Sequence, residues 1–422
     1  MDEVERKLGL ISESLSPERP IRSTEYLLGR IESFEQICRE LNHFHGIPFV
    51  YGYRGVGKTS LSTTAAQIVT PSDREYVYVA CAPGSRMLDI FREIGEKLIE
   101  LAIKLGVGYT TDARYSVKIS LSPELAASFE SKSPKLPRFE NSNAAVRVLK
   151  SLDEIIPVAS KTVIVLDELE ELDDGDRTDL AYLIKQIGDQ NFNLKFVLVG
   201  IAENVHELIG AHESVPRYIK EVYLEPLRPE FLMEIVKNAA DMIQVDIHQQ
   251  ILYRIAIIGN GYPHFAHLIG KAILVEAALE GSNIVDDNIY QKGITTAVAD
   301  SFQELRVSYE AATQRGADHY KYLVWALAHS DVVDVRIDDW IDLYKELAKM
   351  YNFHVEDDSK LKTAINNLKN VSCGEIIENT PARYGGVEKR YRYKRFSSTL
   401  MRGHVRLQAE KEGYKLGRET GL

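Results

Sequence analysis

Apolar and polar positions change rhythm several times along the chain, and each rhythm predicts an element. In LLGRIESFEQICRELN, which Arg22 to Tyr26 lead into, Ile31, Phe34, Ile37 and Leu41 recur at helical spacing. Unbroken apolar runs then appear at Pro48 to Val50, in EYVYVACA, at Val163 to Leu166, in NLKFVLVG ending at Gly200, and in IKEVYLEPL. β-branched runs without alternation read as strands buried on both faces, which suits the interior of a parallel sheet. Helices are expected after the glycine-rich turn near Gly57, near Arg86 to Leu105 and near Asn143 to Ile156. Helices alternating with strands imply parallel crossovers, so residues 21–226 read as a doubly wound α/β domain. Residues from about 106 to 141 are rich in turn formers and polar clusters, and read as an irregular insertion with a hairpin at Ser116 to Leu121.

From Arg228 the rhythm becomes helical. The segments EFLMEIVKNAADMI, HQQILYRIAIIGN, YPHFAHLIGKAILVEAALEG and DDNIYQKGITTAVADSFQEL predict a helical lid over residues 227–315. EPLRPE joins a strand end to a proline-marked helix start, which places the boundary at Pro226. Residues 316–422 change again, with three helices, the β-like stretches GEIIENT and EKRYRYKRFS, and a terminal helix. That order is the layout of a winged helix-turn-helix. In it Leu361, Ala364, Ile365 and Leu368 face the core and leave Lys360, Lys362, Asn366, Asn367 and Lys369 on the outer face of the third helix. Residues 1–20 are left as an amino-terminal tail.

Composition narrows the class. At 422 residues the chain has length for two or three domains. The formal net charge of -11 means that any nucleic-acid contact must come from a local patch. Cys38, Cys81 and Cys373 are scattered in no metal spacing, which fits a reducing cytoplasm. The charged start MDEVERKLGLISESLSPERP lacks the apolar core of a signal peptide, and no apolar run reaches membrane-span length.

The chemistry begins at FVYGYRGVGKTSLS. Gly52 to Thr59 has the form G-x-x-x-x-G-K-[ST] between a strand and a helix, the phosphate-loop (Walker A) signature in its required context. Gly52, Arg54, Gly55, Val56, Gly57, Lys58, Thr59 and Ser60 are the candidate phosphate-binding residues. Glycines bring backbone N–H groups against phosphate oxygens, Lys58 reaches the terminal phosphates, and the Thr59 hydroxyl serves a magnesium ion. KTVIVLDELEEL supplies the complementary Walker B pair at a strand's carboxyl end, with Asp167 for the metal and Glu168 as general base. Glu170, Glu171, Asp173 and Asp174 read as a solvated acidic loop.

Against the acidic average, EKRYRYKRFSSTLMRGHVRL gathers Lys389, Arg390, Arg392, Lys394, Arg395, Arg402 and Arg406. Tyr391 and Tyr393 alternate with Arg390, Arg392 and Lys394, which suits a wing strand with an aromatic inner face and a cationic outer one. A solvated strand face or a protein-packing module gives the same sequence.

Taken together, LLGR with Glu32, the two Walker motifs, SVPR before the last strand, GYPH in the lid and the winged-helix order resemble AAA+ ATPases. The resemblance spans roughly residues 20–410 and is nearest to the branch of origin-recognition initiators, transposition-regulator ATPases and STAND signalling ATPases. It implies ATP and magnesium as cofactors and a homo-oligomer. It also implies that Leu28, Gly29 and Arg30 line the adenine pocket, with Arg30 as a helix-start residue the alternative. Arg217 becomes a candidate arginine finger that is catalytic only across a subunit interface, with an ordinary surface arginine the alternative, and Pro263 and His264 candidate lid contacts to phosphate, with a helix-packing histidine the alternative. His264 stands where a second-sensor arginine often lies, and Glu203 or Asn204 are the candidates for the polar sensor. Two function classes follow. One is an ATPase whose assembly couples nucleotide state to double-stranded DNA or to a separate effector protein; the other is a STAND-like switch or scaffold that packs on protein.

Overall fold

A computed structural model describes residues 3–15, 27–43, 46–71, 75–105, 135–156, 162–190, 192–201, 215–314, 317–380 and 392–418. Arg22 to Tyr26, the expected hairpin at Ser116 to Leu121, the sensor candidates Glu203 and Asn204, and Lys389, Arg390 and Tyr391 lie outside the described residues. Two compact units emerge. One comprises Pro20–Tyr53 and Gly57–Glu225; the other comprises Met1–Arg19, Arg54–Val56 and Pro226–Leu422.

The first unit is built on a five-stranded parallel sheet of β1 (Ile47–Gly52), β2 (Val77–Ala80), β3 (Val163–Asp167), β4 (Lys195–Ile201) and β5 (Ile219–Leu224), in the order β2-β3-β4-β1-β5. The unbroken apolar runs mark strands covered on both faces. Ile164, Leu166, Phe196 and Leu198 point into a core shared with α4 (Met87–Lys104), α5 (Ser142–Ile155) and α6 (Asp174–Asp189). Val163, Val165, Val197 and Val199 are equally buried and have the opposite parity. The second helical layer consists of α2 (Ile31–His43) and α3 (Lys58–Val69), which pack on each other and on the sheet. This is the doubly wound P-loop arrangement, and it puts the carboxyl ends of β1 and β3 on either side of β4 at the same edge of the sheet.

In the second unit, α1 (Glu3–Ser14) lies on α7 (Pro229–Met242) and α9 (Pro263–Leu279), with Ile11 and Leu15 buried. Alongside them are α8 (Gln249–Gly259), α10 (Asp287–Asp300) and α11 (Gln303–Thr313), with a short parallel pair of β6 (Asp246–Ile247) and β7 (Ile284–Val285). The expected single helix through DDNIYQKGITTAVADSFQEL is two. Ser301 leaves the helical region at ψ 158° and bonds back to the Val298 carbonyl at 2.8 Å, so the chain restarts at Gln303.

Beyond Asp318 come α12 (Asp318–His329), α13 (Ile337–Tyr351) and α14 (Asp358–Asn367), then β9 (Ile377–Asn379), β10 (Tyr393–Phe396) and α15 (Met401–Lys411). A two-residue β8 (Val335–Arg336) completes an antiparallel sheet of order β8-β10-β9. Three helices followed by a hairpin is the order of a winged helix, and Leu361, Ala364, Ile365 and Leu368 are buried as the periodicity predicts. No helix among the described residues is long and apolar enough to cross a membrane.

Candidate functional site

β1 ends where no side chain fits. Gly52 has φ 146°, and a Cβ there would stand 2.6 Å from the Leu224 carbonyl oxygen at the end of β5. Gly57 then caps α3 at φ 94°, ψ 22°, a left-handed conformation that favours glycine. Gly57 has no side chain with which to cap α3, and a helix start of this kind favours an anion. Lys58 opens the helix, largely buried, and its Nζ donates to the Tyr53 carbonyl at 2.9 Å. Val56 is buried, Gly55 and Ser60 are half-buried, and Arg54 is exposed.

Asp167 is the last residue of β3 and is 3% exposed. Its Oδ1 accepts the Glu168 amide at 2.8 Å, while Oδ2 accepts the Thr59 hydroxyl at 2.7 Å and the Tyr78 phenol at 3.2 Å. The two candidate metal-binding residues, 108 apart in sequence, are therefore in direct contact. Burial, and then Asp167, push the Tyr78 hydroxyl pKa up. Burial and the same carboxylate raise the Cys81 thiol to about 12. The hydroxyl and carboxylate oxygens in this negative field are hard donors. They suit magnesium, which takes one or two protein oxygens and completes its shell with water and phosphate.

Glu168 follows in a left-handed conformation, φ 58° and ψ 41°, and is exposed. A non-glycine residue there costs on the order of 1–3 kcal/mol, a strain that clusters at functional sites. It starts a 3-10 turn over Leu169–Glu171. Within this turn the structure corrects the sequence reading: Glu170 is not merely solvated, because its Oε2 accepts the Ile201 amide at 2.8 Å and anchors the end of β4. Nothing in the local sequence signals this, since the partner lies 31 residues on, at the end of the next strand.

Gly29 and Arg30 precede α2. Arg30 donates from Nη2 to the Glu225 carbonyl at 2.6 Å, beyond the end of β5, and burial lowers its pKa to about 10 against the opposing charge of Glu225. Leu28 is half-buried beside it. Arg217 precedes β5, pairs with Asp189 at 3.1 Å and lies over the Tyr218 ring at 4.5 Å. The Tyr218 hydroxyl also bonds Asp189 and Arg217. Gly188 makes room for that ring, because a Cβ there would collide with it. The sequence reading named Arg217 and missed Asp189, Tyr218 and Gly188, which meet it only in the fold.

In the second unit Pro263 is the first residue of α9, and His264 stacks on Phe302 with ring centroids 4.4 Å apart. The carboxyl-terminal basic tract departs from expectation. Lys394, Arg402 and Arg406 are buried. Lys394 bonds the Asn379 side chain, and Arg402 the Val332 carbonyl at 2.6 Å. Arg406 binds the carbonyls of Ile257 at 2.7 Å and Ala328 at 2.8 Å together with Asp331 at 2.9 Å. The expected outward cationic face of β10 is therefore inverted at Lys394, whose parity matches the buried Phe396. Arg395 pairs with Glu378 at 2.6 Å, Lys360 with Glu356 at 2.9 Å and Lys362 with Asp338 at 3.6 Å, while Arg392 is exposed.

Residues 42–209, which contain both Walker motifs, match the family described as AAA domain. No curated protein matches the sequence. Among solved structures, a Walker-type ATPase of Pyrococcus abyssi is 15% identical, with 92% of this chain and 99% of that chain covered at a TM-score of 0.53. Cdc6p from Pyrobaculum aerophilum is 16% identical, with 95% and 98% covered at 0.44. The Aeropyrum pernix Orc1 protein, in complex with DNA, is 12% identical, with 96% and 97% covered at 0.46. The chain therefore has a P-loop ATPase fold and carries an AAA-domain match over residues 42–209.

Proposed function

We propose that the chain binds ATP with magnesium, hydrolyses it slowly, and uses nucleotide state to control its assembly into a homo-oligomer. The observation that carries this reading is the 2.7 Å bond from Thr59 to Asp167, which joins the phosphate loop to the carboxylate of the neighbouring motif. Magnesium held by these two oxygens would neutralise charge on the β- and γ-phosphates. Lys58 leaves the Tyr53 carbonyl for the terminal phosphates, and the left-handed loop brings backbone amides against them. Glu168 accepts the proton of the attacking water. Arg217 exchanges its bond to Asp189 for the γ-phosphate bound by a neighbouring copy, so turnover depends on assembly. Gly29 and Arg30 add contacts to the base in this reading.

Nucleotide state would then be passed to double-stranded DNA or to a separate effector through the winged-helix region. The burial of Lys394, Arg402 and Arg406 favours the protein-directed form, in which the chain is a switch or scaffold. The test is steady-state ATP turnover with and without duplex DNA, at low and physiological salt, alongside ATP affinity. Lys58→Ala should weaken ATP binding, whereas Glu168→Gln should keep binding and lose about a hundredfold or more of turnover. Salt-sensitive stimulation by DNA would support coupling to nucleic acid, and turnover indifferent to DNA the switch. Parent-like ATP affinity in Lys58→Ala would overturn the nucleotide assignment.

A further inference from the structure

We propose that Tyr78 is a positioning residue that aims the Asp167 carboxylate at the bound divalent cation and thereby sets the cation's affinity. The inference rests on reading Asp167 as the metal-bearing carboxylate, and it concerns a residue on a different strand from either Walker motif. β2 and β3 pair so that Tyr78 lies opposite Val165 and Ala80 opposite Asp167. Tyr78 and Asp167 are therefore diagonal neighbours on one sheet face, a separation that a long aromatic side chain can span. Ala80, directly opposite Asp167 on the same face, carries only a methyl group beside this diagonal. The phenol reaches Asp167 Oδ2 at 3.2 Å, beside the Thr59 hydroxyl on the same oxygen.

The direction of the bond is set by chemistry. An ionised carboxylate only accepts, so the phenol donates. With Oδ1 held by the Glu168 amide at 2.8 Å, donors on both oxygens fix the rotation of the carboxylate plane. Thr59 offers its own oxygen to the cation, whereas the Tyr78 phenol acts through the Asp167 carboxylate it bonds. The backbone of Tyr78 is held as well. β2 is an edge strand, and the Tyr78 carbonyl accepts Lys97 Nζ from α4 at 2.7 Å, with Lys97 paired to Glu93 at 2.7 Å. A donor on a rigid strand, bonded to a ligating carboxylate, is the kind of outer-shell partner whose loss typically weakens metal binding about 10- to 100-fold.

The experiment uses the full chain saturated with a non-hydrolysable ATP analogue and titrated with Mn2+, free Mn2+ being read by electron paramagnetic resonance. Nucleotide affinity in EDTA and thermal unfolding are measured in parallel. Tyr78→Phe keeps the ring and removes only the donor; it should weaken Mn2+ binding roughly tenfold with nucleotide affinity in EDTA unchanged. Ala80→Val, which crowds the diagonal at an exposed position, should weaken Mn2+ in the same direction. Asp167→Asn should weaken it more than either. Parent-like Mn2+ affinity in Tyr78→Phe, with Asp167→Asn impaired, would overturn the role of Tyr78 and leave the metal site standing. Parent-like affinity in Asp167→Asn would overturn the metal reading and the inference with it. Equal losses of nucleotide affinity in EDTA and of Mn2+ affinity would mark Tyr78 as merely structural.

Discussion

Burying a titratable side chain couples its protonation to folding, and His404 is the sharpest case. It lies on α15, fully buried, with its ring edge-on to Tyr309 at 5.7 Å. Burial first, and then the charge of Arg306, lower its pKa from 6.5 to about 4. The fold therefore holds the neutral imidazole, while the unfolded chain takes up a proton below pH 6.5. Stability should be unaffected by this residue above that pH and should fall as pH drops toward about 4, by roughly 3 kcal/mol at most. Urea unfolding across this window checks it, with His404→Leu expected to show a shallower decline. Asp167 is buried at the end of β3, and its two carboxylate oxygens accept three donors. Its place at the end of an apolar run was legible, because a carboxylate after four buried residues is anomalous unless it has work to do. The phenol that meets it was not legible, because Tyr78 lies 89 residues away on another strand.

Among the elements, strand identity followed from local pattern, and strand facing did not always do so. β3 and β4 are unbroken apolar runs, and either parity leads into a core. β10 carries tyrosine, lysine, arginine and phenylalanine in turn, and aromatic residues fall on both parities. Phe396 claims the core side, and Lys394 goes in with it, its ammonium satisfied by Asn379. Glycine effects separate in the same way. Gly52→Ala should destabilise the chain by about 2 kcal/mol or more, since both its φ of 146° and the Leu224 oxygen at 2.6 Å oppose a Cβ. Gly9, inside α1 with nothing within 4 Å of a new Cβ, should gain up to about 1 kcal/mol on replacement by alanine. Paired thermal melts of the two variants distinguish a required glycine from a tolerated one.

Across the whole molecule, the balance between exposed and buried charge decides how the basic carboxyl-terminal tract is read. Arg254 and Glu410 form a buried pair at 2.6 Å, and the Tyr290 hydroxyl donates to the same carboxylate at 2.9 Å. Burial and then Glu410 push the Tyr290 pKa up. Glu410→Gln would leave the Arg254 charge buried without its counter-ion and should cost about 3–5 kcal/mol in chemical denaturation. Charges placed this way hold α8, α10 and α15 together and are not offered to a ligand. Local order along the chain was enough to reveal the parallel-sheet domain, the glycine-rich turn between β1 and α3, the carboxylate that ends β3 and the buried positions of α14, because side-chain period and turn chemistry act over a few residues. Contacts between distant segments decided the rest: Tyr78 on Asp167, Glu170 on the end of β4, Asp189 on Arg217, and the withdrawal of Lys394, Arg402 and Arg406 from the surface. The physical reason is that an arginine or lysine is costly to bury only while its donors lack partners. Carbonyls and side-chain oxygens supplied by other elements become available only once those elements have packed.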